Sequence, residues 1–201
     1  MAIQTNRRLF LRDGLLVGAG ACAGALAPVL WRDQFLARAQ ADDNRTTPDF
    51  EHKLRELGIE LPAQAKPVAV YVPAVVTGNL LFTAGHIPRT LSGELVTGRI
   101  GDELTLEQGY EAARLVGLQI LATVKQSLGT LDRVSRLVKA VGMVNCIPGF
   151  TQQPQVVNGF SELMLAVFGE QAGKAARSAI GMGSLPLNVP VEIEAIFEIV
   201  P

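Results

Sequence analysis

The chain has 201 residues, with 18 Lys+Arg against 19 Asp+Glu, a formal net charge of −1 and a hydrophobic fraction of 48%. That apolar content excludes a disordered chain, and the near-neutral balance excludes a strongly basic nucleic-acid binder. The length suits one domain plus an extra segment, and two cysteines in unlike surroundings, Cys22 and Cys146, exclude a disulfide framework.

Residues 1–41 have the composition of an address. Arg7 and Arg8 precede Phe10 and Leu11, an uncharged stretch runs from Gly14 to Leu30, and Ala37-Arg38-Ala39 and Ala39-Gln40-Ala41 close the segment. A positive start, a modest apolar run and an Ala-x-Ala end make a secretory signal, and the adjacent arginines point to the twin-arginine route. The expectation is export to the periplasm with cleavage after Ala41. Contact with a membrane is then confined to export. A retained anchor is the competing reading, although the uncharged run falls short of the ~20 residues that span a bilayer. Lipidation at Cys22 lacks the Leu or Val expected before it. Because 5 of the 18 basic and 2 of the 19 acidic residues lie in 1–41, the remainder keeps 13 and 17 and is mildly acidic.

Residues 42–66 read as a polar leader carrying a short helix, Glu51–Pro62, stopped near Gly58. Residues 67–201 read as the domain. "AVYVPAVVTGNLLFTAGHIP" predicts two strands joined at Thr77-Gly78-Asn79, a hairpin signal. "RTLSGELVTGRIGDE" is a loop. Thr105 and Gln108 have capping-box spacing, and Leu106, Tyr110, Ala113, Gly117, Leu121, Val124 and Leu128 then share a helical face until Gly129 stops it. A strand follows in "RLVKAVGMVNC", then a second amphipathic helix in "QVVNGFSELMLAVFG", closed by Gly169. "ARSAIGM" and "VPVEIEAIFEIV" are the last strands. In the final one, Val191, Ile193, Ala195, Phe197 and Ile199 share one face, opposite Glu192, Glu194, Ile196 and Glu198. The order β-β-α-β-α-β-β predicts an α+β domain, a mixed sheet with two helices on one face. Apolar Val75 and Ile196 on the other face predict a covering partner subunit.

Several chemistries are excluded. His52 and His86 are the only histidines, and no nucleophile-elbow motif accompanies them. No His/Cys cluster has metal-ligand spacing, "GMGS" lacks the P-loop lysine, and no Gly-rich fingerprint opens a helix after a strand. Neither a cofactor nor a metal is expected. A carboxylate, main-chain groups and water must do any chemistry.

Two segments, "YVPAVVTGNLLFTAGHIP" and "ARSAIGMGSLPLNVPVEIEAI", together resemble the Rid family, also called the YjgF or L-PSP endoribonuclease-like family, over roughly Val68–Val200. The loop at 89–104 and the leader helix are similar to its YjgF/chorismate-mutase-like subgroup. The resemblance implies a chorismate-mutase-like fold and a homotrimer with ligand pockets between subunits. It also implies hydrolysis of small enamine or imine 2-carboxylates to 2-oxo acids and ammonia. By position in the motifs, Arg177 would bind the substrate carboxylate and Glu192 would position water. Tyr71, Gly85, Asn158 and the backbone at Ala179 would line the pocket. Three positions depart from the family pattern: Ala179 stands where Cys is frequent, Gly181 where Glu is frequent, and His86 where Gln is usual. A non-catalytic trimer binding a small carboxylate is the alternative. Endoribonuclease activity is disfavoured by the acidic balance, and chorismate mutase activity would rest on fold analogy alone.

Each candidate also has a bland reading. Arg177 suits a planar carboxylate, or else pairs a surface acid. Glu192 is a water-orienting group held ionised by Arg177, or a solvent-side strand residue. Tyr71 is a pocket or a core tyrosine, Gly85 a pocket wall or a bend, and Asn158 a polar group at some helical cost. His86 is expected packed or exposed, Glu194 structural or exposed, and Cys146 a buried small apolar residue.

Overall fold

The computed structural model describes residues 48–63 and 70–200. The signal-like residues 1–41 lie outside the described residues. Helix α1 spans Phe50–Glu56, β1 Ala74–Thr77, β2 Leu80–Thr83, α2 Leu106–Leu128, β3 Val134–Asn145, α3 Gln153–Gly173, β4 Ala176–Met182 and β5 Val191–Ile199. This is the β-β-α-β-α-β-β order read from the sequence, with α1 packed against it.

The five strands form one sheet in the order β1-β2-β5-β3-β4, antiparallel except for the parallel β3–β4 pair. The alternation predicted for β5 is present: Val191, Ile193, Ala195, Phe197 and Ile199 are all buried. They face α2 and α3, which cover that side of the sheet. Burying such side chains gains roughly 1.5–3 kcal/mol each, so this layer dominates the fold. The opposite face carries no element of this chain among the described residues. The register aligns Val75, Phe82, Ile196 and Lys139 across it.

Local chemistry sets the ends. The Thr105 hydroxyl accepts from Gln108 N, and the Gln108 side chain accepts from Thr105 N, completing the capping box that opens α2. Gly129 closes α2 at φ 83°, in the left-handed region. Gly169 breaks α3 at φ 75°, ψ 177°, so the regular helix ends there, as its sequence foretells. The two helices approach closely because residue 159 has no side chain: a Cβ there would lie 2.0 Å from the Tyr110 carbonyl oxygen. Tyr110 seals this seam by donating to Glu162 at 2.7 Å.

Two expectations are corrected. Tyr71 and Val72 are not in a strand; β1 begins only after Pro73, whose missing N–H cannot join a ladder. The leader helix is shorter than Glu51–Pro62 and ends at Glu56. It is docked on the domain. Asp132 Oδ1 accepts from Phe50 N at 2.7 Å and Glu51 N at 3.2 Å, Leu54 is buried, and Phe50 meets Phe168 edge-on at 4.8 Å.

Candidate functional site

Arg177 lies on β4, the edge strand beside β3. It pairs in register with Ala140, which in turn pairs with Ala195, and both alanines are buried in the core. Side chains opposite one another share a face, so Arg177 points to the helix side. There it meets the first turns of α3. Its Nη1 donates to Asn158 Oδ1 at 2.9 Å and to Ser161 Oγ at 2.9 Å, and its Nη2 donates to the Pro154 carbonyl at 3.3 Å. Asn158 and Ser161, three apart, stand on one helical face. Burial draws the Arg177 pKa below its usual value, and a guanidinium nevertheless stays charged.

A guanidinium carries five N–H donors. Among the described residues three are used, leaving one on Nε and one on Nη2. Nε and Nη2 border one edge of the planar group, an edge that can grip a carboxylate in two parallel bonds. No carboxylate of the described residues forms an ion pair with Arg177. The surface-acid pairing is therefore not found among the described residues.

Glu192 is on the other side of the sheet. It pairs with Met143, as does Ile180 of β4, in the open-face row. The partnership expected between Arg177 and Glu192 is thus corrected for a single protomer: odd and even positions of neighbouring strands put the two groups on opposite faces. Glu192 lies over Gly85 instead, where an added Cβ would come within 2.0 Å of Oε1. Gly85 therefore forms the surface on which the Glu192 carboxyl rests. Burial first, and the nearby Glu194 second, raise the Glu192 pKa. Its carboxyl is therefore easier to protonate than usual, the reverse of the ionised state expected beside a cation. Glu194 is exposed, in line with its expected role.

The backbone between these sites shifts by one residue. Phe82 pairs with Ile196, but His86 pairs with Ile193. The Thr83 hydroxyl fills the gap by accepting from Ala195 N at 2.9 Å. His86 turns towards the helices. Its Nδ1 sits 2.8 Å from the Ala84 carbonyl and its Nε2 2.8 Å from Thr123 Oγ1. A carbonyl only accepts, so Nδ1 carries the proton and Nε2 accepts from the Thr123 hydroxyl. Burial lowers the His86 pKa and keeps this neutral tautomer. His86 is the packed histidine of the two readings.

Further along β4, Ala179 packs against the core. Gly181, where a side chain is frequent in the family, leaves room for Gln153. A Cβ at 181 would be 2.8 Å from Gln153 Nε2, which donates to the Phe150 carbonyl at 2.6 Å and approaches Cys146 Sγ at 3.8 Å. Cys146 is buried and free, as its composition suggested. Tyr71 is half-exposed and outside the core. The structure thus groups Arg177 and Asn158 on the helix side, with Ala179 farther along the same face of β4. It groups Glu192 and Gly85 on the open face. Ser161 is the residue sequence reasoning missed; its i+3 spacing from Asn158 was the available signal. Among the described residues no cluster of three His, Cys, Asp or Glu is placed to hold a metal.

Residues 51–198 match the family model described as "YjgF/chorismate mutase-like, putative endoribonuclease". The protein TCP17 of Trypanosoma cruzi is 44% identical over 146 residues, 73% of this chain and 91% of TCP17. A 2-iminobutanoate/2-iminopropanoate deaminase of Dermatophagoides farinae is 31% identical, covering 69% of this chain and 92% of that protein. The crystal structure of Atu1372 from Agrobacterium tumefaciens superposes with a TM-score of 0.68 at 42% identity, covering 75% of this chain and 94% of that one. Fold, motifs and these matches agree, and the chain belongs to the YjgF/chorismate mutase-like family.

Proposed function

We propose that this protein is an exported hydrolytic deaminase of small enamine or imine 2-carboxylates. The observation that carries the reading is Arg177: half-buried, tied by three bonds to α3, without an acidic partner among the described residues, and with its Nε/Nη2 edge unused. A desolvated cation with a preorganised open fork is a carboxylate hook. The similarity to a protein named as a 2-iminobutanoate/2-iminopropanoate deaminase supports the reaction type.

In this reading the hook fixes the substrate carboxylate, and so the adjacent C=N carbon. Water adds to that carbon to give a carbinolamine, which loses ammonia; R–C(=NH)–COO⁻ and H₂O become R–CO–COO⁻ and NH₃. A carboxyl group with a raised pKa, such as Glu192, suits proton exchange with that water. Since Arg177 and Glu192 of one copy face opposite ways, both reach one substrate only if the site is shared between copies. A homotrimer with pockets between subunits satisfies that requirement. Exposed Val75, Phe82 and Ile180 on the uncovered sheet face are the kind of surface such an assembly buries.

The test generates 2-iminobutanoate in situ, adds the protein and follows 2-oxobutanoate. Acceleration that disappears in Arg177→Ala supports the reading. If the wild-type protein gives none, deamination of this substrate is refuted. Arg177-dependent binding of 2-oxobutanoate without turnover would instead support a carboxylate-binding trimer.

A further inference from the structure

His86 has no part in the reading above, yet it is the next residue after Gly85, on which the Glu192 carboxyl rests. Between the Phe82–Ile196 pair and the His86–Ile193 bridge, the β2 side carries one residue more than β5. An extra residue on one side of a pair is a β-bulge, a device that re-aims its neighbours. Gly85 lies inside it, and a glycine has the most backbone freedom to lose. His86 supplies the restraint. Its main chain exchanges both bonds with Ile193, at 2.8 and 3.0 Å. Its ring crosses to the helix side, where Nδ1 donates to the Ala84 carbonyl and Nε2 meets Thr123 Oγ1 of α2, each at 2.8 Å. The C=O and N–H of a trans peptide point opposite ways, so the Nδ1 bond also sets the direction of the Gly85 N–H.

Taking Glu192 as the proton-exchanging carboxyl of the proposed function, we infer that His86 is a positioning residue: through Ala84 and Thr123 its imidazole locks the Gly85 bulge that supports the Glu192 carboxyl. The imidazole is on the helix side and the carboxyl on the open face, with one strand between them. The fit against the main chain is close, since Glu192 Oε1, Cδ and Cγ would all lie within 3.1 Å of a Cβ at residue 85. Across the strands the carboxyl is in register with Met143 of β3 and, beyond it, Ile180 of β4, both uncharged. Glu194, on its own strand, is the charged group that acts on it. Loosening the bulge therefore admits water to a carboxyl whose other neighbours are mostly apolar.

The experiment labels the glutamate carboxyls of the full chain isotopically and titrates them by NMR across the carboxylate range; the Glu192 signal is the one missing from Glu192→Gln. Hydrolysis of 2-iminobutanoate and binding of 2-oxobutanoate are measured on the same proteins. In His86→Leu the Glu192 midpoint should fall towards the ordinary carboxylate range, because water reaches the group. Its kcat should drop about tenfold to a hundredfold with KM unchanged, and 2-oxobutanoate should bind as before, since α3 still holds Arg177. His86→Gln, whose amide can donate to one partner and accept from the other, should restore the midpoint and kcat together. Should His86→Leu not fold, Thr123→Val, which removes the partner of Nε2, decides by the same titration. A Glu192 midpoint that stays put in the folded variant, or one that His86→Gln does not restore, overturns the inference even where stability falls. If the wild-type protein hydrolyses no 2-iminobutanoate, the proposed reaction fails and the titration still decides the positioning.

Discussion

The two faces of the sheet treat polar groups in opposite ways. On the helix side Arg177, Asn158, Ser161, His86 and Thr123 are bonded into the fold by short contacts. On the open face Glu192 and Glu194 stand in one strand and make no ion pair among the described residues, and burial pushes Glu192 towards its neutral form. A satisfied polar network is rigid and specific, whereas a desolvated carboxylate carries a free-energy cost until something compensates it. The helix side is preorganised, and under the proposed function the open face is the surface a second copy covers.

Breaking the preorganised side should have the largest effects. Arg177→Ala removes two charge-assisted bonds to the ligand, about 1.5–3 kcal/mol each, so binding of 2-oxo acids should fall at least a hundredfold in a titration. Arg177→Lys should recover only part, because an ammonium cannot make the two parallel bonds. Gly159→Ala forces a methyl against the Tyr110 carbonyl and should cost about 2–3 kcal/mol in denaturant unfolding. Ser161→Ala, which loosens one Nη1 contact, should weaken 2-oxobutanoate binding about tenfold with little change in unfolding free energy.

The smallest effects are those of pH, and they have opposite signs on the two faces. The folded-state pKa of His86 is depressed, so its contribution to stability is present above about 6.5, the ordinary value, and is lost as pH falls below it. His86→Gln should flatten that acid limb in thermal melts. The folded-state pKa of Glu192 is raised, so its contribution is present below about 4.5 and is lost as pH rises above it. Glu192→Gln should remove that loss, stabilising the chain at neutral pH relative to pH 4. An unchanged profile in Glu192→Gln would mean that the open-face carboxylate is not under tension.

Much of this was legible in the residues because it depends on local patterns. The β5 alternation, the Thr105–Gln108 box, the Gly129 stop and the "ARSAIGM" strand are each written within a few positions. What escaped depends on how distant strands align. Whether Arg177 and Glu192 share a face is decided by the pairing of Ala140 with both Arg177 and Ala195, which no spacing within one strand contains. Ser161 escaped because its i+3 spacing from Asn158 becomes informative only once a shared donor, Arg177 Nη1, is seen opposite both. Tyr71 was drawn into a strand by its β-branched neighbours, and Pro73 keeps it out.

The central claim is that Arg177 presents its Nε/Nη2 edge to a carboxylate while α3 holds the other side. A crystal structure with bound 2-oxobutanoate tests it most directly. The account predicts both carboxylate oxygens within about 3 Å of Nε and Nη2, with Nη1 still on Asn158 and Ser161. A ligand bound elsewhere, or an Arg177 side chain swung away from α3 to reach it, would contradict the account.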